Sequence, residues 1–152
     1  MLVRCGVENS EIYTDGGCHG NPGPGAWAFV ITSAGDVVER SGAARDTTNN
    51  RMELTAVIEA LREVGRRGIN GTVTIHTDSQ YVKNGITTWI RTWLANGWRT
   101  ASKQPVKNQD LWVELHDLNR AIGPDWRWVR GHAGNPLNER CDALVQEAIG
   151  RL

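Results

Sequence analysis

The feature that most constrains this chain is the segment from residue 12 to residue 25, where a strand pattern runs into a cluster of glycine and proline. Ile12, Tyr13 and Thr14 are aromatic or β-branched, which favours a half-buried strand. Five glycines and two prolines follow between residues 16 and 25, and they permit tight turns and a close approach of other backbone. Asp15 lies at the junction. A carboxylate at the edge of a sheet needs solvent, a partner charge or a metal ion.

The length of 152 residues predicts a single domain over residues 1–152. The sequence has no stretch of about 18 or more apolar residues, so we expect no membrane span. The first residues lack the apolar core of a signal peptide, so we expect none. The three cysteines are odd in number and form no Cys-x-x-Cys pair, which argues against a disulfide framework and a structural zinc site. These features predict a cytoplasmic protein, and nothing in the sequence indicates anything larger than a monomer.

The element pattern predicts an α/β fold with one mixed sheet of five strands. A short turn joins the predicted strands at residues 26–32 and 37–43, so these should form an antiparallel hairpin, and the first predicted strand, which ends near residue 14, should join them as a meander. Longer crossovers lead to strands at 72–77 and 125–130, so these should pair parallel. Helices are predicted on both faces of the sheet, at residues 50–66, from 79, and at 87–95, 108–122 and 137–149.

Four carboxylates occupy corresponding places in this pattern. Asp15 and Asp78 follow predicted parallel strands, whose carboxyl ends meet at one edge of a sheet. Glu53 and Asp142 flank the apolar stripes of two helices, whereas Glu59 and Glu63 should point into solvent. Neighbouring carboxylates repel unless a cation neutralises them. Ligands that are all oxygen suit Mg²⁺ or Mn²⁺, and two such ions about 3.5–4 Å apart can catalyse phosphoryl displacement.

The charge is balanced overall but not along the chain. There are 17 basic and 17 acidic residues, yet residues 79–109 contain five basic residues, several tryptophans and no acidic residue. We call residues 79–109 the basic segment and expect it to bind a polyanion such as a nucleic acid. The chain has no Gly-rich loop ending in Gly-Lys-Ser/Thr, so hydrolysis of nucleoside triphosphates is not supported.

Four motifs in one order carry a resemblance to a known family. They are YTDGGC with GNPGPG in residues 13–25, TTNNRMEL in 47–54, TDSQYV in 77–82, and GHAGN with NERCD in 131–142. Together they resemble the bacterial type 1 ribonucleases H over nearly the whole chain. The resemblance implies the ribonuclease H-like fold and endonucleolytic cleavage of the RNA strand of an RNA–DNA hybrid, leaving 3′-hydroxyl and 5′-phosphate ends. It also implies two Mg²⁺ ions, with Mn²⁺ as a possible substitute.

The same resemblance assigns roles to individual residues. Asp15, Glu53, Asp78 and Asp142 fall on the catalytic metal ligands, with Asp15 expected to be shared by both ions. His132 falls on a catalytic loop histidine that assists proton transfer or product release, and we hypothesise that Asn138 positions that loop or the attacking water. The positions implied to touch the hybrid are Cys18, Asn21, Thr48, Asn49, Asn50, Gln80, Trp89, Trp93 and Asn138.

Within this set, the amides can bond 2′-hydroxyls and base edges, which would select RNA. Thr48 falls on a pocket for a phosphate of the DNA strand. Trp89 and Trp93 fall on a basic protrusion, although core packing accounts for them equally well. That protrusion has Ala95 and Asn96 where basic residues are common in the family, which predicts weaker hybrid binding and a smaller salt dependence than in a more basic member.

Two alternatives remain open on the sequence. A non-catalytic hybrid-binding module would keep the basic face but lose a carboxylate, and all four carboxylates are present. A DNA-cleaving nuclease of the integrase kind can share the fold and the carboxylates, because a fold does not determine a function. The amides at Asn49, Asn50 and Gln80 favour a hybrid substrate over duplex DNA.

Overall fold

The sheet is the frame on which the rest of the chain is placed. The structure, a computed structural model, describes residues 9–130 and 135–152. Its five strands lie in the spatial order β3-β2-β1-β4-β5. The β1–β2 and β2–β3 pairs are antiparallel, and the β1–β4 and β4–β5 pairs are parallel, as predicted. The strand bounds are β1 Ser10–Cys18, β2 Gly23–Ser33, β3 Asp36–Thr47, β4 Val73–Thr77 and β5 Asp125–Trp128.

Five α-helices and one π-helical turn complete the described fold. Thr48 begins the longest helix, α1, by accepting a hydrogen bond from the backbone N–H of Arg51, and Gly68 ends it in the left-handed conformation with φ 60°. The second and third helices, predicted as separate, run continuously through the π-helical turn. The bounds are α1 Asn49–Arg67, α2 Gln80–Asn84, the π-helical turn Gly85–Trp89, α3 Ile90–Ala95, α4 Gln109–Ile122 and α5 Pro136–Gly150.

Each face of the sheet has its own hydrophobic core. On one face α1 and α4 pack with strand residues such as Ile12 and Ile75, and Trp112 of α4 is completely buried there. On the other face α5 packs against alternate residues of β2 through Cys141 and Val145. The predicted arrangement of helices on both faces is therefore confirmed. Because helices pack on both faces, a site at the ends of the central strands can receive side chains from either face of the sheet.

The structure corrects several predictions in detail. β1 does not end at residue 14 but continues to Cys18, so Asp15 lies within a strand, opposite Ala28 of β2. β3 likewise runs to Thr47, because its pairing with β2 continues along the glycine-rich segment. The prediction that Glu63 points into solvent is wrong. Its side chain is buried, and its carboxylate accepts hydrogen bonds of 2.7 Å from both Arg66 and Arg67, which lower its pKa.

Over residues 9–130 and 135–152, no helix combines the length and the apolar character that crossing a bilayer requires.

Candidate active site

Three of the four predicted metal-binding carboxylates meet at one edge of the sheet. Asp15, Glu53 and Asp78 each have an oxygen that lies within 4.8 Å of an oxygen of the other two. Asp15 and Glu53 are both buried, with 8 % of their surface exposed, and Asp78 is half-buried. We call this set the carboxylate cluster. Three carboxylates at this separation, two of them shielded from water, repel one another when ionised, and this repulsion favours the binding of a cation.

The sheet places the two aspartates next to each other. The parallel ladder between β1 and β4 ends where Tyr13 faces His76. Asp15 follows two residues beyond on β1, and Asp78 follows two residues beyond on β4. Because side chains alternate along a strand, Asp15 shares its face with Tyr13, which packs against the α5 core. The predicted reason for their proximity, the carboxyl ends of adjacent parallel strands, therefore holds for this pair even though β1 continues past Asp15.

Glu53 reaches the cluster from the opposite face because Gly16 has no side chain. A Cβ at Gly16 would lie 2.4 Å from the carbonyl carbon of Met52 and 2.5 Å from the nitrogen of Glu53. The first turn of α1 therefore rests directly on the backbone of β1. The carboxylate of Glu53 accepts hydrogen bonds from the backbone N–H of Gly16 and from the hydroxyl of Ser79. Neither residue was in the predicted site, although Ser79 directly follows Asp78 in a motif that was recognised.

The surroundings of Glu53 disfavour the ionised form of its carboxyl group. Burial raises the pKa of Glu53 well above its ordinary value, and the neighbouring Asp15 and Asp78 carboxylates raise it further. The hydrogen bonds from Gly16 and Ser79 act in the opposite direction but are smaller effects. Carboxylate oxygens gathered this closely are hard ligands that suit a divalent cation such as Mg²⁺ or Mn²⁺. The residues present therefore fit a metal site.

The raised pKa of Glu53 predicts how the stability of the metal-free protein depends on pH. Above pH 4.5, the ordinary value, Glu53 is ionised in the unfolded chain but still protonated in the folded one. The folded state then binds more protons, so the free energy of unfolding should fall as pH rises toward the folded pKa, by at most about 1.4 kcal/mol per pH unit. Urea unfolding in EDTA from pH 5 upward measures this. Glu53→Gln cannot ionise, so its stability relative to wild type should increase as pH rises, and a relative stability that falls with pH would contradict the prediction.

The fourth carboxylate lies apart from this group. Asp142 is half-buried on α5, and among the described residues it is not a member of the carboxylate cluster. Asn138, one turn earlier, is buried. Between them Cys141 donates a hydrogen bond of 3.3 Å from its thiol to the carbonyl of Tyr13, and burial together with the nearby Asp15 raises its pKa to about 12. α5 is thus attached to β1 two residues before Asp15. His132 lies outside the described residues.

The predicted substrate contacts at the start of α1 lie beside the β1–β2 turn. The backbone N–H of Asn49 donates a hydrogen bond of 3.2 Å to the side-chain oxygen of Asn21. The Cys18 thiol lies 3.3 Å from the carbonyl oxygen of Gly23 and 3.4 Å from that of Thr47. Thr48 caps α1, Asn50 is half-buried in its first turn, and Gln80 is exposed at the start of α2. These contacts place Cys18, Asn21, Thr48 and Asn49 together at the start of α1, in one polar surface on the helix that carries Glu53.

Trp89 and Trp93 belong to an aromatic cluster beneath the basic segment. Their ring centroids lie 5.8 Å apart, and that of Trp93 lies 5.3 Å from that of Trp112 in the core. Both rings are half-buried and pack against the α1-side core. Core packing therefore accounts for part of each ring, and a role toward the substrate stays a prediction.

The comparisons with known proteins agree with this geometry. A protein-family model described as RNase H matches residues 8–150. The chain belongs to the RNase H family. It is 51 % identical to a ribonuclease H of Treponema denticola, and the alignment covers 95 % of this chain and 99 % of that protein. A ribonuclease HI of Caulobacter vibrioides is 54 % identical over 91 % of this chain and 91 % of its own length. The predicted resemblance is confirmed.

Solved structures show the same fold. The crystal structure of LC9-RNase H1, a type 1 RNase H with the type 2 active-site motif, superposes with a TM-score of 0.82 at 36 % identity, covering 98 % of this chain and 75 % of that one. LC11-RNase H1 in complex with an RNA/DNA hybrid superposes with a TM-score of 0.69 at 28 % identity, covering 93 % and 97 %. The chain is a hydrolase of this family, and its reaction is cleavage of the RNA strand of RNA–DNA hybrids.

Proposed function

We propose that the carboxylate cluster, with Asp142, holds two Mg²⁺ ions and is where the RNA strand is cut, Mn²⁺ being a possible substitute. The observation that carries this proposal is the meeting of Asp15, Glu53 and Asp78 oxygens within 4.8 Å, with two of the three side chains buried. Protein interiors do not hold such a group of charges without compensation. Asp15 lies on β1, the central strand of the sheet, and this central position supports its predicted role as the ligand shared by both ions.

The reaction is the hydrolysis of a phosphodiester. A water oxygen forms a bond to phosphorus, the bond from phosphorus to the 3′ oxygen breaks, and the products are a 3′-hydroxyl and a 5′-phosphate. Divalent ions, when bound, supply Lewis-acid stabilisation of the attacking and leaving oxygens. The protein contributes the rigid placement of its carboxylates, with Glu53 oriented by Gly16 and Ser79. We assign proton transfer or product release to His132 and positioning of its loop or the water to Asn138.

We assign selection of the RNA strand to the polar surface beside the cluster. Asn21, Asn49 and Asn50 lie there, and Gln80 begins α2 two residues after Asp78. Amide groups can donate to and accept from the 2′-hydroxyl, the group that distinguishes RNA from DNA in a shallow minor groove. The complex of LC11-RNase H1 with an RNA/DNA hybrid supports the hybrid as the partner of this surface. A monomer in the cytoplasm stays our prediction.

The test is cleavage of four strand-labelled substrates, namely an RNA–DNA hybrid labelled on either strand, an RNA duplex and a DNA duplex. Each is incubated with Mg²⁺, with Mn²⁺ or with EDTA. We expect cutting of the RNA strand of the hybrid alone, in Mg²⁺ and not in EDTA. Binding without cutting in either metal would favour a hybrid-binding module, and cutting of duplex DNA would favour the DNA-cleaving alternative.

The basic segment yields a separate prediction about affinity. Ala95 is exposed at the end of α3, among basic residues, and Ala95→Lys should add one phosphate contact. We expect tighter hybrid binding at low salt and a log–log salt slope steeper by about 0.7–0.9. Val37→Lys is the matched control, since Val37 is 60 % exposed on the edge strand β3 and gains the same charge away from this segment. Equal slopes for the two variants would contradict a role of the basic segment in binding.

A further inference from the structure

Arg51 makes a set of contacts that the reaction, as described above, does not use. It lies in the first turn of α1, two residues before Glu53. Its guanidinium donates two hydrogen bonds to the carboxylate of Asp110, at 3.1 and 2.8 Å, and a third to the side-chain oxygen of Asn108, at 3.2 Å. The start of α1 is thereby attached to the start of α4.

Asn108 passes this connection on to α2. It precedes α4 in the left-handed conformation, with φ 60°, and its side-chain nitrogen donates a hydrogen bond of 3.0 Å to the hydroxyl of Tyr81. The indole N–H of the buried Trp112 donates to the same hydroxyl, also at 3.0 Å. Tyr81 belongs to α2 and lies three residues after Asp78. Both polar ends of the Asn108 amide are therefore occupied by the two neighbouring helices.

These contacts form the second of two bridges between the starts of α1 and α2. The first is a single hydrogen bond within the site, which the Ser79 hydroxyl donates to the Glu53 carboxylate. The second runs from Arg51 through Asn108 to Tyr81. Together with the backbone they close a ring that contains Glu53 and Ser79, and Asp78 directly precedes Ser79. A ring held at two points restrains the separation of the two carboxylates more tightly than either bridge alone.

We propose that Arg51 is a positioning residue that sets the distance between Glu53 and Asp78, acting through Asn108 and Tyr81, and so tunes the affinity of the carboxylate cluster for Mg²⁺. The proposal rests on the metal site proposed above. It assigns to Arg51 no contact with the ion or the hybrid. Its effect is on the free protein, before the hybrid binds.

The experiment measures the dissociation constant for Mg²⁺ by calorimetry on the protein without nucleic acid. Arg51→Gln and Asp110→Asn should each weaken Mg²⁺ binding about 2- to 30-fold, the usual range for residues that act through others. Asp110 has 65 % of its side chain exposed and the ion pair is largely solvated, so both variants should stay folded. The KM for the hybrid at saturating Mg²⁺ should change less than the metal affinity.

The chain offers a matched control. Arg62 joins α1 to α4 through Glu114, as Arg51 does through Asp110, but it lies 11 residues along α1 from Arg51. Arg62→Gln removes a comparable ion pair between the same two helices and should leave the Mg²⁺ affinity unchanged. If Arg51→Gln and Arg62→Gln behave alike, the positioning role is wrong and the contacts serve only to pack the helices.

A double-mutant cycle tests the path of the effect. If Arg51 acts through Tyr81, then Arg51→Gln combined with Tyr81→Phe should weaken Mg²⁺ binding no more than the stronger single change. Additive losses would overturn the bridge. Failure of wild type to bind Mg²⁺ would refute the proposed metal site itself, which separates that failure from a failure of this inference.

Discussion

Asp78→Asn is expected to abolish hydrolysis of the hybrid while making the metal-free protein more stable. The substitution keeps the size of the side chain but removes one of three charges that meet within 4.8 Å. Loss of this charge should lower the rate of cleavage by about 100-fold or more, as removal of a preorganised electrostatic contact generally does. The same loss relieves the repulsion that Asp78 exerts on buried Glu53, and should raise the free energy of unfolding by about 0.5–2 kcal/mol.

The two effects are measured on the same preparation, by cleavage of the labelled hybrid in Mg²⁺ and by urea unfolding in EDTA. Binding of the hybrid to the variant should persist, which shows that the loss lies in the chemistry. Glu59→Gln is the control, because Glu59 lies on α1 outside the cluster and its carboxylate bonds Arg62. A variant that cleaves at the wild-type rate, or that is less stable than wild type in EDTA, would contradict the proposed role of Asp78.

Gly16→Ala is expected to damage both the fold and the site. The added Cβ would lie 2.4–2.6 Å from three backbone atoms of Met52 and Glu53, and backbone cannot rotate away as a side chain can. The first turn of α1 must then move off β1, at a cost of about 1–3 kcal/mol. Because Glu53 directly follows that turn and accepts a hydrogen bond from Gly16, the metal affinity should fall as well.

Gly65→Ala is the matched control for this substitution. Gly65 lies in the same helix, and no atom lies within 4 Å of the Cβ it would gain. Alanine there should stabilise the protein by about 0.5–1 kcal/mol, since glycine is costly in a helix. Thermal unfolding in EDTA and Mg²⁺ titration compare the two variants. If Gly16→Ala matches wild type in both measurements, the close contact between α1 and β1 is not what positions Glu53.

Much of the fold follows from short-range signals in the chain. The strand patterns, the turn residues and the crossover lengths predict the mixed sheet and the helices on both faces, and the structure confirms them. The strand ends were predicted less well, because β1 and β3 continue where their pairing with β2 continues. That pairing joins consecutive strands, and the glycines of residues 16–25, which are uncommon in strands, concealed it.

The site divides in the same way. The sequence alone determined which residue types are available, namely the carboxylates at 15, 53, 78 and 142, and it predicted that Asp15 and Asp78 would meet, because adjacent parallel strands end at the same edge. Only the tertiary structure decided how Glu53 reaches them from the other face. That depends on backbone contact at Gly16 and a hydroxyl at Ser79, and no periodicity in a sequence encodes such a contact.

The tertiary structure also decided which charges matter. Glu63 and Glu53 lie on one helix, and both are buried. Two arginines lower the pKa of Glu63, whereas burial and two carboxylates raise the pKa of Glu53. Helical spacing predicts that the two arginines lie near Glu63. The neighbours of Glu53, in contrast, come from β1 and from the residues that follow β4. A sequence thus determines the kinds of groups and their local order, while the charge state of a buried group depends on which distant segments fold against it.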